Sequence, residues 1–536
     1  MKILLVCKEM IAYERTAIML LASNLKKNGH DVKAAVMRQA VINKKPKKKS
    51  YKLKFLLHSD AYTNETSADS TFQKTNHDGG MQNKNSANPP EMYNDVYELV
   101  KTFKPDLIGY SVMTGEHYDI LSFNKRLKEN FDFISVMGGP HPTFSKQVIE
   151  EDGLDAICTG EGDRSFPEFI RRIEAKGEYW LTKSFHVKYK GEIYRNPLND
   201  LVEELNDLPF PDRQVLYDAD PNLAAIGAKS FVSARGCPYK CSYCFNKQYN
   251  DNYKGLGKIL RVRSPELVIK EIEGVRDRYP LDTVNFTDDV FTVRPNGWIK
   301  EFSKLYKERV GLPFNCTVRA SSVKEQDIIE LKDAGLTHVW MGVETGDEEA
   351  ANKIFLRNTS NATIIKANEW FRKHGVKVNS YNIMGLPLDN PFEVDLRTVD
   401  LNIKMKPAFA SFGLLYPFPG TSISKMAVAS GHFKDDKNTV YLESNKNSSM
   451  LNWKSKKDKM KVENLQKLAG IIVDFPFLRP IVPFLCKLPL TKLYHFLFYI
   501  HLGYCHKIRL APIKFKNIFK ELPIFFGYFK TLISKT

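Results

Sequence analysis

Over residues 1–175, short runs of Val, Ile and Leu alternate with longer segments whose apolar positions recur every three or four residues. That alternation predicts strand–helix units of a parallel α/β sheet. The strands expected are KILLVC, DVKAAVM, DLIGYSV, FISVMGG and DAICTG. Between the first two, TAIMLLASNLKKNG reads as an amphipathic helix closed by Gly29, a residue suited to the left-handed position past a helix end. The pattern lapses at about residues 41–90, where Lys, Asn, Ser and Asp dominate. A mobile polar insert is expected there.

Residues 176–227 read as a linker bearing a hairpin, because SFHVKYKGEIYRNP alternates around Lys190-Gly191 and LNDLPFPDR is extended and proline-rich. Periodicity resumes at 228 with SFVSARG, TVNFTDD, FNCTVRA, HVWMGVETG, VNSYNIMG and FASFGLLYPF, separated by helical stretches. Six such units, over 228–440, predict a partial (β/α)6 TIM-type barrel with its chemistry at the C-terminal strand ends. Residues 441–536 are basic, aromatic and mainly helical in pattern. The fold expected is therefore α/β: a Rossmann-like (flavodoxin-like) parallel sheet at 1–175, the linker, the partial barrel and a helical C-terminal region.

A chain of 536 residues is too long for one core. Its formal charge of +17 first suggests an anionic partner. Residues 451–536 hold 14 Lys and 2 Arg against 2 Asp and 2 Glu, so most of that charge sits in the last segment. This argues against a nucleic-acid-binding core. The tail's lysines lie among Phe, Ile and Leu, and no apolar run reaches the ~18 residues of a spanning helix. Peripheral membrane contact and a helical cap on the barrel are both open readings, and contact would suit a lipid-like substrate. MKILLVCKEM has no cleavage site and leads into charge, and five of the eight cysteines are scattered, so a reducing cytoplasm is expected.

The other three cysteines, Cys237, Cys241 and Cys244, fall in SARGCPYKCSYCFN with spacing Cys-x3-Cys-x2-Cys. A closed iron–sulfur or structural zinc site takes four protein ligands. Three thiolates on a four-iron cube leave one iron open to a chelating amino acid. Alone, the trio also allows a zinc site with a distant ligand, or three buried thiols. Spacing and position, in the loop after the first strand of the second series, resemble the radical S-adenosylmethionine (SAM) superfamily. The resemblance implies a [4Fe–4S] cluster on these cysteines, SAM on the open iron, and Tyr243 near the adenine. It further implies cofactor contacts from Asp288 and Asp289 in NFTDD, Arg319 in CTVRA and Glu344 in GVETG. Gly385, Pro387, Pro419 and Gly420 would shape the fifth and sixth loops around adenosine. Asp389 stands where the family often has Glu.

DLIGYSVMTGE, VMGGPHPT and DAICTGEGD resemble, in order, the strand ends of the cobalamin-binding domain carried by one large class of these enzymes. That implies cobalamin beside Ser111, Thr114, Gly138, Gly139 and Gly160. Many such domains supply an axial His after the first strand. CKEMIAYER has none, and neither His30 nor His141 stands at that position. Cobalt bound without a protein histidine is the expectation. The function implied is a cobalamin-dependent radical SAM methyltransferase acting on an unactivated carbon of a small-molecule or lipid-like substrate. It would need an external one-electron donor of flavodoxin or ferredoxin type. A cobalamin-dependent cyclase or rearrangement enzyme, and a non-enzymatic cobalamin or Fe–S protein, are the alternatives.

Overall fold

The structure, a computed structural model, describes residues 1–8, 14–37, 93–436, 439–442 and 445–510. The polar insert expected at 41–90 and the end of the basic tail lie outside the described residues. The chain divides into two compact units, the first running to Ile226 and also holding Tyr253–Lys258, the second starting at Gly227.

In the first unit, β1 (Lys2–Lys8), β2 (Asp31–Met37), β3 (Leu107–Ser111), β4 (Ile134–Gly138) and β5 (Ala156–Cys158) stand where the apolar runs placed them. These strands pair in parallel in the order β2-β1-β3-β4-β5. Ile3 to Cys7 are all buried, as a strand covered on both faces by helices must be. The direction of winding reverses at β1, which lies between β2 and β3. A crevice at the carboxyl ends of such strands is where open α/β sheets bind ligands.

The hairpin expected in the linker is present as β6 (Phe185–Tyr189) and β7 (Glu192–Arg195), turning through Lys190 and Gly191 at φ +51° and +83°. It is no connector. β6 pairs antiparallel with β5, and the first sheet gains two strands. The physical reason is the edge: β5 would otherwise leave a row of backbone groups unpaired.

The second unit opens with β8 (Ala228–Phe231) and a two-residue ribbon, β9 (Ala234–Arg235) against β10 (Arg261–Val262). β11 (Thr283–Phe286), β12 (Phe314–Arg319), β13 (Leu336–Glu344), β14 (Lys377–Met384) and β15 (Phe409–Leu414) follow. With β8 they form a six-stranded parallel sheet in strictly sequential order. That is the connectivity of an open (β/α)6 series rather than of a doubly wound sheet. Phe286, Phe291, Phe302 and Phe314 meet edge-on or tilted in its core.

The segment after 440 is no separate body. The helix Lys456–Asp474 buries Leu465, Ala469 and Ile472 against Met384, Val399 and Phe412. Those residues belong to β14, β15 and the helix before β15, so the segment covers the sheet's open β15 edge. The following helix, Thr491–Tyr504, is tied back by His501, whose Nε2 lies 2.7 Å from an Asp474 carboxylate oxygen. No described helix is long and apolar enough to cross a membrane.

Candidate active site

The cysteine loop lies between β9 and the helix Phe245–Asn252. Gly236 turns the chain into it at φ +86°, where a Cβ would fall 2.1 Å from the Ile259 carbonyl, so only glycine fits. The loop is fixed from several directions. Ser242 donates its amide to Phe355 O (3.1 Å) and its hydroxyl to Ile354 O (2.6 Å). Asn250 Nδ2 donates to Cys237 O at 2.8 Å. Cys237 and Cys241 are buried, Cys244 half-buried, and none is in a disulfide. Burial pushes the Cys237 thiol up to about 11 and the Cys244 thiol up to about 12. Thiols so placed need a strong local positive charge to ionise, which an iron cluster supplies. The donor set fits the cluster.

A protein cation is hydrogen-bonded to the trio. Arg319, at the end of β12, directs Nη1 to Cys241 Sγ at 3.3 Å and stacks its guanidinium 4.0 Å from the Tyr239 ring. Its Nε donates to Ser321 Oγ (2.9 Å) and its Nη2 to the Arg357 carbonyl. All three of its guanidinium nitrogens are thus engaged by protein groups, one of them by a cysteine sulfur.

The aspartate pair divides. Asp288 is buried and accepts from the amides of Ser233 and Ala234, both at 2.8 Å, from Ser233 Oγ, and from Arg294 Nη2 at 2.9 Å. It is a brace that joins β11 to the start of the cysteine loop. Asp289 accepts only from Asn246 Nδ2, at 2.8 Å, among described side chains. It is open to solvent, yet set deep enough that desolvation pushes its carboxyl above the usual range. Of the two, Asp289 is the one with a solvent-facing carboxylate.

Glu344 ends β13 at φ +69°, beside a register shift between Gly342 and Glu344. A non-glycine residue held there marks local strain. Its partner is a residue the sequence did not single out. Arg357 donates Nη1 to Glu344 Oε1 (3.1 Å) and to the Tyr243 hydroxyl (2.5 Å), and Nη2 to Gly342 O (2.6 Å). Leu356 and Asn358 on either side have φ +54° and +47°. That contorted segment brings one guanidinium to two residues separated by a hundred positions. Nothing periodic in FLRNTS announces it.

Gly385 and Gly420 answer to the chain's own packing. A Cβ on Gly385 would press on Trp453 and Val462 at 3.1 Å, and one on Gly420 would strike Gln248 at 2.2 Å.

At the carboxyl edge of the first sheet the expected residues also separate. Gly138 has room for a side chain, an added Cβ meeting Cys158 and the Tyr110 carbonyl only at ordinary contact, 3.9 Å. The Ser111 hydroxyl beside it has no hydrogen-bond partner among the described residues. At Gly139 and Gly160 the chain itself also demands glycine: a Cβ would meet the Val112 carbonyl at 2.8 Å and the Tyr253 hydroxyl at 1.9 Å. Thr114 Oγ1 lies 3.4 Å from His141 Nδ1. His141 stacks on His117 at 3.8 Å, and burial lowers the two rings to about 4 and about 2, so both are neutral. A strand end without a side chain, flanked by hydroxyls and neutral rings, fits a flat macrocycle.

Residues 231–397 match the family model of the Radical SAM superfamily, and residues 77–170 that of the B12 binding domain. The chain is a radical SAM enzyme with a B12-binding domain. Among its relatives is an uncharacterized methyltransferase of Pyrococcus horikoshii, 26% identical over 344 residues, covering 63% of this chain and 72% of that protein. Another is the anaerobic magnesium-protoporphyrin IX monomethyl ester cyclase of Rubrivivax gelatinosus, 25% identical, covering 60% of this chain and 59% of that one. The solved cobalamin-dependent SAM radical enzyme OxsB shares the fold, with a TM-score of 0.63 and 15% identity over 98% of this chain and 75% of that chain. As a radical SAM enzyme the protein uses a [4Fe–4S] cluster and SAM, binds cobalamin, acts on a small molecule and needs an outside reductant.

Proposed function

We propose that this enzyme methylates an unactivated carbon of a small, apolar molecule. The observation that carries the reading is the presence, in one chain, of a three-thiol loop with two of its cysteines buried and a strand end that bears no side chain at Gly138. When bound, the cluster with SAM supplies a 5′-deoxyadenosyl radical and cobalamin supplies a transferable methyl group.

The chain's own residues hold and orient. Cys237, Cys241 and Cys244 are the cluster ligands, and Arg319 offsets the negative charge that builds on Cys241. Asp289 receives the ammonium of SAM. Tyr243 and Glu344, locked by Arg357, form the wall against its nucleoside. Ser111, Thr114 and Gly138 carry the corrin. The burial that raises the thiols also keeps bulk water from them. The reductant is a small one-electron donor of flavodoxin or ferredoxin type.

The test is anaerobic reconstitution with iron, sulfide and cobalamin, followed by dithionite and SAM. Formation of 5′-deoxyadenosine together with a product heavier by one methylene unit supports methylation. 5′-Deoxyadenosine with a product of unchanged carbon count would favour ring formation, the chemistry named for the Rubrivivax relative. No 5′-deoxyadenosine at all would sink both.

A further inference from the structure

Half of the large apolar side chains left exposed among the described residues fall in one short stretch of chain. Phe475, Phe477, Ile481, Phe484, Leu493 and Ile500 lead it, with Phe477 76% and Phe484 65% exposed. Scattered exposed apolar residues are ordinary, but a concentrated group of them marks a surface that meets something.

The helix Thr491–Tyr504 shows how the surface is built. Tyr494 and Leu502 turn inward and are buried. Leu493 and Ile500, seven residues apart, and Tyr504, eleven from the first, share the opposite side and are exposed. This helix is apolar on its outer face as well as its inner one. Its 14 residues fall short of the ~20 that span a bilayer.

Charge identifies the partner. From Phe475 to Leu510 the sequence has no Asp or Glu. Arg479 is paired with Asp400, at 2.6 and 2.9 Å, and Arg509 with Asp474, at 2.6 Å. Lys487 and Lys492 are exposed between the outward Phe484 and Leu493. Phe, Leu and Ile interleaved with Lys, without acids or a set of amide hydrogen-bonding groups, suit the boundary between acyl chains and anionic headgroups. A protein partner would instead call for directional polar contacts around the apolar centre.

We propose that residues 475–504 form a docking face for the surface of an anionic lipid bilayer. The face lets the enzyme lie on the membrane without crossing it, which suits a substrate drawn from the lipid phase. The inference is independent of the methylation reading, because bilayer binding is measured without turnover.

The experiment is flotation of the full-length, cluster-loaded protein with vesicles of phosphatidylcholine alone, or containing about a third phosphatidylglycerol. The wild-type protein is expected to float with the anionic vesicles and to be released by salt. The double variant Phe477→Ser/Phe484→Ser should lose at least ~10-fold in partitioning. Lys487→Glu/Lys492→Glu should lose binding to the anionic vesicles while keeping any weak binding to neutral ones. Unchanged cluster absorbance in both variants shows that they fold. Failure to float with either vesicle overturns the proposal. So does equal flotation of wild type and both variants, which would assign binding to residues 511–536. A wild-type dimer that the serine variant converts to monomer also overturns it, by assigning the face to a second copy.

Discussion

Asp395 presents both carboxylate oxygens to the amide of Gly385, each at 3.1 Å, and is fully buried while doing so. This contact sets the loop that follows β14, where Gly385 sits at φ +74°. Burial pushes the Asp395 carboxyl well above the usual range, against the opposing pull of the Gly385 N–H. A raised acid contributes most below its unfolded value of about 4 and loses that contribution as pH rises toward its folded value. Asp395→Asn keeps an acceptor and cannot ionise, so its stability relative to wild type should improve from pH 4 to 8. Asp395→Leu strands the amide and should cost ~1–3 kcal/mol. Thermal unfolding across that pH range checks both.

Arg357 and Glu344 form an ion pair in which the side chains are only 4% and 12% exposed. Removing one partner leaves a buried charge without its counterion, at ~3–5 kcal/mol. Arg357→Met should therefore be strongly destabilised, and Arg357→Met/Glu344→Gln less so than the single variant. Denaturant titration of the pair tests the coupling. Arg357→Lys, which cannot reach Tyr243, Glu344 and Gly342 together, should fold and bind SAM ~10-fold more weakly. Equilibrium dialysis measures that loss, and equal SAM affinity would remove Arg357 from the site.

Ser in place of Cys237, Cys241 or Cys244 should reduce the iron content and abolish 5′-deoxyadenosine formation, with the far-ultraviolet circular dichroism retained. The thiols lie in a loop, and the packing of the second unit rests on the aromatic centre around Phe286 and Phe302. Iron analysis with product chromatography decides it. Any one serine variant that turns over like wild type would exclude that cysteine as a ligand.

Gly138 and Gly160 should respond oppositely to alanine. Gly160→Ala drives a Cβ into the Tyr253 hydroxyl at φ +72° and should destabilise the fold by about 1–3 kcal/mol. Gly138→Ala meets nothing nearer than 3.9 Å. It should leave the melting temperature within about a degree or two while weakening cobalamin uptake. Melting curves and the bound-cobalamin spectrum separate the two. Unimpaired uptake by Gly138→Ala would move the corrin off that strand end.

His117 and His141 are neutral and stacked, with Gly115 donating its amide to His117 Nδ1 at 3.3 Å. Their folded values, about 2 and about 4, lie below the unfolded 6.5. The unfolded chain therefore takes up protons first on acidification, and stability falls below pH 6.5 by up to ~1.4 kcal/mol per pH unit for each ring. His117→Phe keeps a ring and removes one titration, so the slope between pH 6 and 4 should fall by up to ~1.4 kcal/mol per pH unit, with the remaining lowered histidines, such as His186, still contributing. Urea unfolding at each pH measures it.

Much of this was legible in the chain itself. Strand and helix periodicity is local, and runs such as KILLVC and FNCTVRA fell on strands of both parallel series, while SFVSARG ran from the end of β8 into the separate ribbon strand β9. The cysteine spacing is equally local, and so was the chemistry it stands for. Tertiary structure alone decided which groups are engaged. Asp288 and Asp289 are neighbours of one residue type, yet one braces Ser233 and the other faces solvent beside Asn246. Arg357, Asp395 and Tyr253 act on partners 13, 10 and 92 positions away. The hairpin and the C-terminal helices joined the two sheets because each sheet ended in an open edge. The physical reason is one of range: side-chain periodicity is fixed by the backbone within a turn or a pleat, whereas a hydrogen bond or a buried edge depends on where distant segments meet.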